Sequence, residues 1–158
     1  MTGRIAVGGI TRTDGLVLIR VLGARPQPGL AAKTLSTLGN QGINLTCVTS
    51  FVDTDRRDNL CLALAEKDLD QALGLLQTIK EEIEAGAIEY QRRCCALSVY
   101  GPHFSERPAI AARVFEATAA AGVDVLAITS SFASVSFLVD ESDAEVSVQR
   151  LREAFVVP

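Results

Sequence analysis

The stretch PGLAAKTLSTLGNQGINLTCVTS, residues 28–50, decides how this chain is read. Parts of it return at a constant offset. PAIAAR at 108–113 answers PGLAAK at 28–33, Gly122 answers Gly42, and Thr129-Ser130 answers Thr49-Ser50, an offset of 108 − 28 = 80. A repeat this long points to two similar small domains and not to a solenoid.

Working outward from the stretch, residues 16–22 are rich in Val, Leu and Ile and read as a strand. Residues 28–41 read as a helix, with Leu30, Leu35 and Leu38 at apolar positions and Gly42 as its stop. A strand at 43–52, a turn at 53–58 and a strand at 60–65, buried on both faces, follow. Asp68 opens a second helix, its apolar face built from Leu69, Ala72, Leu73, Leu76, Ile79 and Ile83, and Gly86 is expected to end it. Residues 87–91 make a last strand. The order β-α-β-β-α-β is the split, ferredoxin-like unit, an α+β fold with helices on one face of an antiparallel sheet.

The second copy has strands at 94–100, 123–129 and 135–139, and helices at 108–121 and 142–155. A fourth strand is missing from it, while residues 3–10 form a strand that the first copy does not need. The expectation is one unit at residues 12–92. The other joins residues 93–158 to the N-terminal strand at 3–10.

Composition narrows the function classes. With 48% hydrophobic residues in 158, the chain can build real cores. The net charge is −4, and the basic residues reach only the pairs Arg56-Arg57 and Arg92-Arg93. Nucleic-acid binding needs clustered Lys and Arg, so that partner is not expected. No apolar run is long enough to span a membrane, and the N-terminus has no leader pattern, so a cytoplasmic protein is expected. Cys47, Cys61, Cys94 and Cys95 form no CxxC, and His103 is the sole histidine. Neither a metal site nor a cofactor is implied. Cys94 and Cys95 would point to opposite faces of a strand.

The helix starts differ in kind. Ser142-Asp143-Ala144-Glu145 reads as a capping box, and Asp68-Leu69-Asp70-Gln71 resembles one. The first helices instead begin after Gln27-Pro28 and Arg107-Pro108, where no capping side chain precedes the proline. Their open amides are satisfied by water at an ordinary turn, or by a ligand carboxylate.

RPQPGLAAKTLSTLGNQGINLTCVTS at 25–50 and ERPAIAARVFEATAAAGVDVLAITSS at 106–131 both resemble ACT domains, in the form found in the regulatory part of aspartate kinase. VSFLVDESDAEVSVQRLREAF at 135–155 is similar to that family's C-terminal end. The resemblance covers essentially the whole chain. It implies a non-catalytic, free-standing regulatory subunit, or an orphan tandem ACT protein, that binds an amino acid at the junction of two ACT units, commonly threonine or lysine. The family's binding loop falls on Arg25, Gln27, Pro28, Gly29 and Leu30, with Asn44 and Ser50 on the following strand. The facing positions are Val123, Asp124 and Ser130. The chain departs from the family at Pro26, where an Asp is usual, at Ser50 for a Gln, at Ser130-Ser131-Phe132 for Thr-Ser-Glu, and at Ala109 for a Gly. Asp124 or Glu106 would then supply the charge facing an ammonium group.

Three functions follow. One is an amino-acid sensor, with Gly29 marking the loop that binds if only one does. Another is a ligand-free assembly subunit of an amino-acid-metabolism enzyme, with a kinase catalytic subunit as its possible partner. In either case the exposed sheet edges imply a homodimer. The third is an acylphosphatase-like enzyme using Arg25 and Asn44, which the absence of a glycine-rich phosphate cradle argues against.

Overall fold

The structure, a computed structural model, describes residues 3–102 and 104–158. His103 lies outside the described residues. The chain divides into two compact units, residues 15–93 and residues 1–14 with 94–158. Two long strands, β2 (Gly9–Ala24) and β5 (Ala87–Tyr100), contribute to both.

In the unit of residues 15–93, β2 is followed by α1 (Leu30–Gly39), β3 (Leu45–Val52), β4 (Asp58–Ala65) and α2 (Leu69–Ile79), and β5 closes it. The sheet order is β3-β4-β2-β5. This is the ferredoxin-like arrangement, with β4 antiparallel to both β2 and β3. Alternation along the strands sends Val17, Ile19 and Val21 of β2, and Leu60, Leu62 and Leu64 of β4, to the helix-covered face. Helix α1 meets them with Leu30, Thr34 and Leu38, one stripe at four-residue spacing. The Thr34 hydroxyl is satisfied by the Leu30 carbonyl at 2.9 Å.

The other unit contains α3 (Ala109–Ala120), β6 (Ala127–Ser130), β7 (Ser134–Asp140) and α4 (Ala144–Ala154). Its sheet order is β6-β7-β5-β2, the same fold. The α3 stripe is Ile110, Val114 and Thr118, each 80 residues beyond its α1 counterpart. Both helices end alike. Ile43 N–H donates to Leu38 O and Val123 N–H to Thr118 O, with Gly42 (φ 78°) and Gly122 (φ 69°) in the left-handed turn before them. That is a Schellman stop, and only glycine takes the turn without strain.

Several expectations need correction. Residues 3–10 are not one strand. β1 (Ile5–Ala6) pairs in parallel with β8 (Phe155–Val156), and the strand that completes the sheet is the start of β2. Helix α2 stops at Ile79, and the left-handed residue after it is Glu84 (φ 51°), not Gly86. The Gly86 amide instead donates to Leu22 O at 2.8 Å. The capping boxes do not form either. Both second helices are entered through 3-10 turns, Glu66–Asp68 and Glu141–Asp143. The second turn is capped by Asp140, whose carboxylate accepts from the Ser142 amide and hydroxyl. Asp68 and Asp143 make no side-chain cap bond to their helices.

Candidate functional site

The unit of residues 15–93 carries a cavity of about 340 Å³ at the N-terminus of α1. Gln27, Gly29, Leu30, Ala31 and Ala32 line it from the loop and first helical turn. Ser50, Asp58 and Leu60 line it from the ends of β3 and β4. Ser50 and Leu60 are cross-strand partners, and Asp58 lies two residues before Leu60, so both project from the same face of β4.

The helix start is shaped by Gly29. At φ 86° it is left-handed, and it serves as N-cap without a side-chain bond. A Cβ there would meet nothing within 4 Å, so the glycine is needed for its backbone angle and not for close packing. The Leu30 amide closes a turn onto Gln27 O at 3.3 Å, and Lys33 N–H bonds Gly29 O at 2.8 Å. The amides of Ala31 and Ala32 have no backbone acceptor among the described residues. They carry the partial positive charge of the helix terminus.

Asp58 is the one ionisable residue in the lining. It is half-buried, and its carboxylate has no side-chain partner among the described residues. The turn before it is braced. Asp53 accepts from the amides of Asp55 (2.9 Å) and Arg57 (3.0 Å) and from the Asn59 side chain (3.0 Å). The Asn59 bond, and then the Arg57 amide, hold the Asp53 carboxyl below its ordinary value. Arg57 donates to the carbonyls of Gly23 and Glu84, so its charge is spent on the scaffold.

The predicted residues therefore separate. Gln27, Gly29, Leu30 and Ser50 meet at this cavity, and Pro28 lies in its loop. Arg25 turns to Glu84, 3.7 Å away. Asn44 precedes β3 at the end opposite Ser50, about 20 Å away at strand rise. Val123 is a core residue of the helix stop. Asp124 is exposed beside it, at the corresponding far end of β6. Ser130 lines an equivalent cavity in the other unit, of about 180 Å³, with Arg107, Pro108 and Ile110. Asp58 was missed by the sequence reading; counting back by two from Leu60 would have found it.

Comparison with known proteins places this geometry. Residues 97–155 match the family model of the ACT domain. That segment is similar to ACT domains. The chain as a whole is similar to the aspartokinase of Geobacillus stearothermophilus, with 26% identity over 98% of this chain and 37% of that enzyme. It thus spans well under half the length of that relative. The regulatory subunit of aspartate kinase from Thermus thermophilus, in a ligand-free form, superposes with a TM-score of 0.86. The match has 24% identity and covers 95% of this chain and 99% of that one. Aspartate kinase from Synechocystis gives a TM-score of 0.91 at 21% identity, over 98% of this chain and 28% of that enzyme. The ACT fold thus recurs in both units of a chain that resembles aspartate kinase regulatory regions.

Proposed function

We propose that the unit of residues 15–93 binds a small amino acid in the cavity at α1, as part of a regulatory module of the aspartate kinase type. One observation carries the reading: a half-buried, unpartnered carboxylate shares a cavity with two open helix amides. A zwitterion matches both, its carboxylate on the amides of Ala31 and Ala32 and its ammonium on Asp58. Leu30 and Leu60 supply an apolar wall for the side chain. A sub-millimolar effector needs about 4–8 kcal/mol, within reach of a few charge-assisted hydrogen bonds. Threonine and lysine are the first candidates by likeness to aspartate kinases. Regulation follows if the ligand favours one state of a kinase catalytic subunit over another, with coupling of about 1–3 kcal/mol.

The test is a thermal-shift and calorimetric screen of the twenty amino acids, with Asp58→Asn as control. At least one amino acid should raise the melting temperature at millimolar concentration, and the variant should lose the response. No response to any of them sinks the reading.

A second reading, a ligand-free assembly subunit, is favoured by the outermost strands. Val48 on β3 and Ile128 on β6 are 40% and 48% exposed. Such edges pair readily with another chain. Light scattering would show a homodimer, or a complex with a kinase subunit, without amino-acid dependence.

A further inference from the structure

We propose that Cys47 and Cys61, on the sheet face turned away from α1 and α2, form a two-coordinate site for a soft monovalent cation, Cu(I). Val17, Ile19 and Val21 of β2 and Leu60, Leu62 and Leu64 of β4 point to the helices. Leu18 and Arg20 of β2, with Cys61 and Ala63 of β4, therefore point to the opposite face. Cys47 pairs with Ala63 and Thr49 with Cys61, which sets the two thiols on that same face as a diagonal pair. Only strand pairing brings them together, so no short Cys spacing announces them.

Their separation decides what can join them. Diagonal Cβ atoms across an antiparallel pair stand about 6–7 Å apart. A disulfide needs about 3.5–4.5 Å, so direct oxidation would have to move backbone. Side chains that lean together bring the sulfurs to about 4–5 Å. An ion held from opposite sides by metal–sulfur bonds of about 2.3 Å spans about 4.6 Å. Among the described residues no third Cys, His, Asp or Glu completes a group that could hold a metal. Zinc, which takes four ligands, is therefore poorly served, whereas Cu(I) is selected by soft thiolates and is content with two. The surroundings agree. Cys47, Leu18 and Ala63 are buried and keep water from one flank, while half-buried Cys61 leaves a way in. Each thiol releases its proton as its metal–sulfur bond forms, so two thiolates around a monovalent ion carry one net negative charge. Arg20, directly across from Cys61 on the same face, balances it.

The test is an oxygen-free Cu(I) titration of the reduced full chain against a chromophoric Cu(I) chelator, followed by X-ray absorption on the loaded protein. One equivalent should bind, and the absorption should show two sulfur neighbours with no nitrogen or oxygen. Cys47→Ala and Cys61→Ala should each lower the affinity at least about hundredfold, and Arg20→Gln about tenfold, with Arg20→Lys restoring most of it. A chain carrying both Cys94→Ala and Cys95→Ala should bind as the parent does, because those thiols are fully buried. Asp58→Asn should also leave Cu(I) affinity unchanged, which separates this site from the cavity at α1. No binding in competition, three sulfurs at the metal, or an affinity indifferent to either Cys47, Cys61 or Arg20 would each overturn the assignment. The absorption is read on the unaltered chain, so it decides even where a variant fails to fold.

Discussion

Asn59 receives a hydrogen bond from the Gly23 amide at 3.0 Å, tying the start of β4 to the end of β2. Its amide nitrogen donates in turn to Asp53 (3.0 Å) and to Arg57 O (3.2 Å). Asn59 is 5% exposed, one of few buried polar residues, and it sits directly beside Asp58. Asn59→Ala should therefore cost about 1–3 kcal/mol, because it leaves a part-buried backbone amide without its acceptor and frees the turn. Urea denaturation measures the loss. Amino-acid binding at the α1 cavity should weaken with it.

The same network gives an acid-side prediction. Asp53 titrates below its ordinary value in the folded chain. A depressed carboxyl pKa contributes stability that is present above the unfolded value and is lost as pH falls through the folded one. Asp53→Asn should flatten the acid limb of the stability–pH curve, and denaturant midpoints across that limb would reveal it.

Gly29 and Ala109 predict opposite outcomes for a swap. Gly29→Ala places a side chain at φ 86°, at a cost of about 1–2 kcal/mol. Relief comes if the substituted residue turns right-handed and α1 starts one residue earlier, as α3 does at Ala109. Amino-acid affinity should fall in this variant more than stability does. Ala109→Gly should leave ligand binding to the first unit unchanged. Calorimetry on both variants checks the contrast.

Gly101 and Gly9 look equally confined, yet their neighbours differ in give. A Cβ at Gly101 would lie 2.8 Å from the Gly8 amide nitrogen, against backbone. At Gly9 it would lie 2.5 Å from the Tyr100 hydroxyl, the tip of a side chain that is 43% exposed and can swing aside. Gly101→Ala should cost about 1–3 kcal/mol or more, and Gly9→Ala distinctly less. Parallel thermal melts would rank them.

The thiols set the alkaline behaviour. Cys95 is fully buried, and burial, reinforced by Asp14, raises its pKa from 9.0 to about 11. The folded chain keeps this proton where the unfolded chain releases it. The Cys95 contribution is thus intact below pH 9 and fades between about 9 and 11. Cys95→Ala should remove that part of the slope. At neutral pH, thiol reagents should reach half-buried Cys61 before Cys94 or Cys95.

Much of this was legible in the chain itself. The offset of 80 residues carried both folds, because the residues that repeat are those that build a helix stripe and a glycine stop. The helix starts were read less well. Ser142-x-x-Glu145 has the letters of a capping box, but an intervening 3-10 turn moved the cap back to Asp140. Asp58 was hidden by its place in a polar turn, where loop and strand are not separated by composition. Asn44 and Asp124 were chosen by likeness, and their position at the far end of a strand became visible only with the fold.

The parallel pairing of β1 with β8 sets Ile5 beside Phe155 and Ala6 beside Val156. Arg4 fastens the same corner by donating to the carbonyls of Arg152 and Phe155, each at 2.6 Å. The two short strands are thus held as one corner, so loss of either should free the other.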